Sequence, residues 1–148
     1  MYKGMRILLA VAVCLMVFSA VALADESLVA RHHSHNYVPG QKLAINNAIS
    51  FSGALSAIGV RVILPEGWYF IDVYSAYPPE VKPMSGAIGA IEFAWIVPPL
   101  SPLNFIYEIG VPQGQFGDKE INSTVLYRRL GGEIVEAVQP NPLLINTK

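Results

Sequence analysis

Three imidazoles fall within four residues at His32-His33-Ser34-His35, and they are all the histidines the chain has. Imidazole nitrogens ligate Zn²⁺, Cu²⁺ or Ni²⁺, and in an extended strand His33 and His35 share a face. His32, His33 and His35 are therefore the candidate metal ligands. Neither cysteine nor carboxylate stands at ligand spacing beside them, since Asp25 and Glu26 are too remote. The other reading is a solvated segment that picks up metal opportunistically. The same scarcity restricts catalysis. A Ser-His-Asp triad would have to take its base from this cluster, and no G-x-S-x-G turn presents a serine. Glu66 with Asp72, or Glu92 with Glu108, are carboxylate pairs, but nothing in the sequence fixes a distance between them. The expectation is a protein that does no covalent chemistry and carries no cofactor.

A second group is aromatic. Tyr69, Tyr74 and Tyr77 lie close together, and rings with an apolar body and a polar tip stack on sugars or anchor protein interfaces. They are the candidate ligand-binding residues. Trp95 alternates in phase with Ile91 and Phe93, and Trp68 directly follows a turn, so both tryptophans are expected in the core.

The chain has 148 residues and a net charge of −1, which suits one domain. Lys3 and Arg6 precede an apolar run over residues 7–18, and Ala22-Leu23-Ala24 supplies small residues ahead of Asp25-Glu26. That is the pattern of a signal peptide over residues 1–24, cleaved after Ala24. An uncleaved N-terminal anchor is the alternative. Cleavage would remove Lys3 and Arg6, taking the net charge from −1 to −3. The charges are scattered with no basic run, which argues against nucleic acid and, once the segment is cleaved, against a membrane as partner. The lone cysteine, Cys14, lies inside the apolar run, so the mature chain has neither a disulfide nor a thiolate nucleophile.

The elements that must position these groups are strands. Residues 25–36 show no clear period and are expected to be a flexible leader. Tyr37-Val38-Pro39-Gly40 is a turn. Leu43, Ile45, Ile49 and Phe51 then alternate with polar residues, as do Ile58, Val60, Val62 and Leu64. Pro65-Glu66-Gly67 breaks the second run, and a further extended stretch follows Trp68, so the two are expected to form an antiparallel hairpin. Ile91, Phe93, Trp95 and Val97 make another strand, ended by Pro98-Pro99-Leu100-Ser101-Pro102, which must cross between sheets or follow an edge. Leu103, Phe105, Tyr107, Ile109 and Val111 alternate most cleanly. Ile121, Ser123, Val125 and Tyr127 follow, then a Gly131-Gly132 turn and a last marked strand over residues 133–138. Asn122-Ser123-Thr124 matches a glycosylation sequon but falls inside a strand. Seven to nine short strands separated by Pro/Gly turns, with no helical segment, predict an all-β antiparallel sandwich over residues 37–142, with 143–148 as a tail.

Tyr37-Val38-Pro39-Gly40, Leu64-Pro65-Glu66-Gly67-Trp68, Ile91-Glu92-Phe93-Ala94-Trp95 and Leu103-Asn104-Phe105-Ile106-Tyr107, in that order, resemble the immunoglobulin-like and cohesin-like β-sandwich modules of secreted bacterial surface proteins. The resemblance implies a module without chemistry of its own, acting as a spacer, adhesive unit or docking surface. The expected function is thus an exported interaction module at the cell surface, in the extracellular matrix or in a periplasm. Its partners would be a protein or further copies of itself, joined through edge strands by donation from the terminal segments. The alternative is a carbohydrate-binding module that uses its exposed aromatics on a polysaccharide.

Overall fold

Alternation becomes strand along most of the described chain, residues 27–148 in this computed structural model. The expected signal peptide lies outside the described residues. Nine strands follow one another: β1 (Leu28–His33), β2 (Lys42–Phe51), β3 (Leu55–Ile63), β4 (Tyr69–Tyr74), β5 (Ala90–Trp95), β6 (Leu103–Gly110), β7 (Lys119–Arg129), β8 (Val135–Val138) and β9 (Leu143–Ile145). They make two sheets, one ordered β1-β2-β6-β4 and one ordered β5-β3-β7-β8, with β9 pairing the other half of β7. Every strand pair is antiparallel. The all-β sandwich expected from the sequence is the fold observed.

The faces are set by the period of two. On β6, Leu103, Phe105, Tyr107 and Ile109 point into the core, and on β7 Ile121, Ser123, Val125 and Tyr127 do the same. The two layers meet through rings. Phe93 stands 5.7 Å from Phe70, 5.6 Å from Phe105 and 5.5 Å from Tyr107, and Trp95 stands 5.0 Å from Phe105. Edge-on and offset ring pairs of this kind add about 0.5–1.5 kcal/mol each to the burial itself. Trp68 and Trp95 are both fully buried, as expected.

Three expectations are corrected. The runs on either side of Pro65-Glu66-Gly67 are not a hairpin: β3 pairs with β5 and β7, whereas β4 pairs with β6 in the opposite sheet. Gly67 takes φ 79° and Trp68 follows it into the core, so the turn carries the chain across the sandwich rather than back along one sheet. The segment read as a flexible leader contains β1, which pairs with β2 from Leu28↔Phe51 to His33↔Asn46. Its inward residues are Leu28, Ala30 and His32, so only one large apolar side chain marks the period. The tail contains β9, and Tyr37 N–H and Lys148 N–H donate to Asn146 O and Tyr37 O at 3.0 and 2.9 Å. Both segments expected to donate a strand to a neighbour are thus paired within the chain.

The connection between β4 and β5 covers the edge of each. Phe70 N–H donates to Ala87 O at 2.8 Å and Gly86 N–H to Phe70 O at 2.7 Å. Ala94 and Val81 exchange hydrogen bonds of 2.9 and 3.2 Å. These two edges are occupied at those positions and resist strand addition there, while β1 and β8 form the other edge of each sheet.

Candidate functional site: the outer face of the four-stranded sheet

Residues of β1, β2, β6 and β4 that alternate away from the core line up in rows across the sheet. One row runs through His33, Asn46, Ile106 and Tyr74, and the next through Arg31, Ala48 and Asn104. The small side chain of Ala48 lies between larger neighbours, and these residues other than Arg31, together with Ser75, line a shallow groove of about 620 Å³. Tyr74 is 52% exposed. Its hydroxyl donates to Glu108 Oε2 at 3.2 Å, and Lys42 Nζ approaches the same oxygen at 3.4 Å. The charge of Glu108 is the first cause that raises the Tyr74 phenol above its ordinary pKa, followed by partial burial.

Beside this row Asp72 accepts from Val73 N–H at 2.8 Å and faces Lys82 Nζ at 3.3 Å. The Val73 amide, then Lys82, holds the Asp72 carboxyl below its ordinary value. The groove therefore offers an aromatic ring, two amides, an imidazole and apolar area along one side, and a charge-balanced strip along the other. Its chemistry suits recognition through hydrogen bonds and apolar contact.

The structure divides both sequence-derived groups. His32 and His33 are adjacent on β1 and so face opposite ways. His32 points between the layers, where Nε2 lies 2.6 Å from Asn141 O and Nδ1 lies 3.3 Å from Ser123 Oγ. The carbonyl can only accept, so Nε2 carries a hydrogen and donates, and in the neutral ring Nδ1 is then the acceptor for the serine hydroxyl. His33 lines the groove, and His35 is exposed beyond the strand end. Among the described residues, no group of three His, Cys, Asp or Glu side chains is placed to hold a metal ion. Of the tyrosines, Tyr74 alone lines the groove. Tyr69 lies at the other end of β4, with its ring across Gly110. Tyr77 is beyond the strand, 60% exposed, and its carbonyl accepts from Trp95 Nε1 at 2.8 Å.

The carboxylate pairs named from sequence are also separated. Glu92 is on the second sheet facing Arg61 at 3.9 Å, and Glu66 is in the turn after β3. Asn46, Asn104 and Ile106 were missed. Polar and small residues on the solvent side of a strand give no periodic signal beyond their alternation, and only the pairing of β2 with β6 brings them together.

No protein-family model matches the chain, and no curated protein matches it. Solved structures do. The full-length major pilin SpaD from Corynebacterium diphtheriae superposes with a TM-score of 0.64 at 8% identity over 80% of this chain, which spans 35% of the pilin. CaCohA2 from Clostridium acetobutylicum gives 0.60 at 14% identity, covering 82% of this chain and 92% of that one. The collagen-binding domain from a Staphylococcus aureus adhesin gives 0.52 at 12% identity, covering 82% and 99%. At these identities the likeness is one of fold. The fold is the bacterial immunoglobulin-like and cohesin-like β-sandwich that the sequence resembled.

Proposed function

We propose that this chain is an exported, non-catalytic interaction module that binds a protein partner on the outer face of its β1-β2-β6-β4 sheet. The observation that carries this reading is the groove itself, in which a half-exposed Tyr74 stands in one row with His33, Asn46 and Ile106 on a rigid four-stranded support. Tyrosine is enriched at protein interfaces because a stiff ring supplies apolar area and a hydroxyl together. The fold supports the same reading. CaCohA2 has been crystallised in a complex with CaDoc0917, and the adhesin domain is named for collagen binding. A cell-surface, matrix or periplasmic setting accords with this role.

A second reading, polysaccharide binding, has one specific observation in its favour: Tyr74 shares the groove with the amides of Asn46 and Asn104, a combination suited to stacking on a sugar and bonding its hydroxyls. The test is a photo-crosslinking residue placed at Tyr74, with Arg61 on the opposite sheet as control, in cells that produce the protein. A polypeptide adduct at 74 and none at 61 is expected. Binding on a glycan panel that is abolished by Tyr74→Ala, with no adduct, favours the second reading. Neither outcome at 74 overturns both.

A further inference from the structure

β1 is the last strand of its sheet on the side away from β4, and its pairing with β2 fixes which of its main-chain groups are in use. Ser52 N–H donates to Ser27 O at 3.2 Å, so residues 27 and 52 face each other as a hydrogen-bonded pair. Such pairs alternate along an antiparallel ladder, which makes the next ones Val29–Ser50, Arg31–Ala48 and His33–Asn46. Two contacts on the far side of β2 keep the same phase. Phe51 N–H turns away from β1 to Ser101 Oγ at 2.9 Å, and Val111 N–H donates to Gln41 O at 3.0 Å. The N–H and C=O groups of Leu28, Ala30 and His32 therefore point to the free side of β1, and among the described residues no hydrogen bond reaches them.

This row of donors and acceptors borders a cleft of about 320 Å³ lined by Ala30, Arg31 and His32 with Pro140 and Asn141. An extended segment is the occupant that matches a strand edge, because only another main chain supplies N–H and C=O at the same spacing. The side chains say what kind of segment. Arg31 and His33 alternate to the outer face and are exposed, and among the described residues Arg31 makes no ion pair. β1 holds no acid, so a second β1 laid beside it would bring like charge to like. A carboxylate directly across from Arg31 is favourable instead. On the inner face, Ala30 with Pro140 and Asn141 suits small side chains.

We propose, resting on the protein-binding reading of this face, that the partner presents an extended segment with aspartate or glutamate at alternate positions, and that this segment pairs with Leu28, Ala30 and His32 as a further strand of the β1-β2-β6-β4 sheet. His33 belongs both to β1 and to the groove, so a strand added here lies against the row that continues through Asn46, Ile106 and Tyr74. Main-chain bonds supply affinity whatever the sequence, and Arg31 supplies the preference for acid. Of the other edges, β4 and β5 are occupied at Phe70 and Ala94. β8 has four residues where β1 has six, and it lies on the sheet without the groove.

The test adds a short peptide alternating threonine with glutamate to isotope-labelled protein isolated from the cells that produce it, and follows amide hydrogen exchange by NMR. Exchange at Leu28, Ala30 and His32 should slow several-fold, while Val29 and Arg31, already bonded to β2, stay unchanged. A peptide alternating threonine with lysine should bind about tenfold more weakly, and Arg31→Glu should invert that order. Ala30→Pro removes an N–H that no internal bond uses and should abolish the slowing at Leu28 and His32. Arg31→Glu changes only an exposed side chain, so the test stays readable if the proline unfolds the strand. Unchanged exchange at these amides, or equal binding of the two peptides, would overturn the proposal. Slowing that needs no peptide and grows with protein concentration would overturn it in favour of a second copy. Crosslinking at Tyr74 is read separately: an adduct there with unchanged exchange on β1 removes the edge and keeps the groove, whereas slowed exchange with no adduct removes the groove and with it the partner named here.

Discussion

Tyr37 and Trp68 meet edge to face, with ring centres 5.0 Å apart and planes at 71°. Tyr37 lies on the connection from β1 to β2 and Trp68 on the crossing from β3 to β4, so one ring contact joins the two layers at this end. Each ring also sends its polar tip into the β6–β7 loop. Tyr37 Oη donates to Gly117 O at 2.7 Å and Trp68 Nε1 to Gln115 Oε1 at 3.4 Å. Burial first, and the charge of Asp118 second, raise the Tyr37 phenol above its ordinary value.

Tyr37→Phe removes that one hydrogen bond and leaves Gly117 O able to turn to water. It should cost about 1 kcal/mol in urea unfolding. Trp68→Ala empties a fully buried site and should cost about 3–5 kcal/mol. Equal losses for the two variants would mean that packing around the rings is not what joins the layers.

Acid should loosen the loop that Glu80 caps. Its own backbone amide is the main cause holding this carboxyl below the ordinary value of 4.5; burial opposes it, and the Ile96 and Val97 amides add to it. A carboxyl with a lowered folded pKa contributes stability above its unfolded value, and that contribution is lost as pH falls through the folded one. Thermal melts should therefore decline below about pH 4.5, and Glu80→Gln should flatten that decline. An unchanged slope in the variant would remove Glu80 from the account.

A methyl group at Gly110 would collide with the ring of Tyr69. The tyrosine is partly exposed and can swing aside, so Gly110→Ala should cost about 1 kcal/mol, within the ordinary range for a point change. Tyr69→Ala made in the same chain should recover most of it, a coupling that a double-mutant cycle reads directly. Additive losses would show that the glycine is needed for some other reason.

His32 ties β1 to Ser123 on the other sheet and to Asn141, and His33 does not. His32→Ala should cost about 1–3 kcal/mol through two lost hydrogen bonds and an unpaired buried hydroxyl, whereas His33→Ala should stay within about 0.5 kcal/mol. Dialysis against Zn²⁺ distinguishes the ligand reading: stoichiometric retention lost equally in both variants would restore the metal site that strand alternation divides.

Much of this fold was legible because alternation reports faces. Leu103 to Val111 and Ile121 to Tyr127 could be assigned inward or outward residue by residue, Ser123 included. Alternation does not report neighbours. Nothing in Pro65-Glu66-Gly67 distinguishes a turn that reverses within one sheet from one that crosses to the other; the pairing of β4 with β6, more than thirty residues away in sequence, decides it. β1 was hidden for another reason, since of its inward positions only Leu28 carries a large apolar side chain, Ala30 being small and His32 polar. The groove combines both difficulties. Tyr74 was chosen for its ring, but its companions Asn46 and Asn104 are ordinary surface residues until the β2–β6 register sets them side by side.

The covering of Phe70 and Ala94 by the segment between their strands bears on how the protein behaves when crowded. A neighbour that approaches along β4 or β5 therefore meets side chains rather than free main-chain groups at these positions, and among the described strands the open flanks are those of β1 and β8.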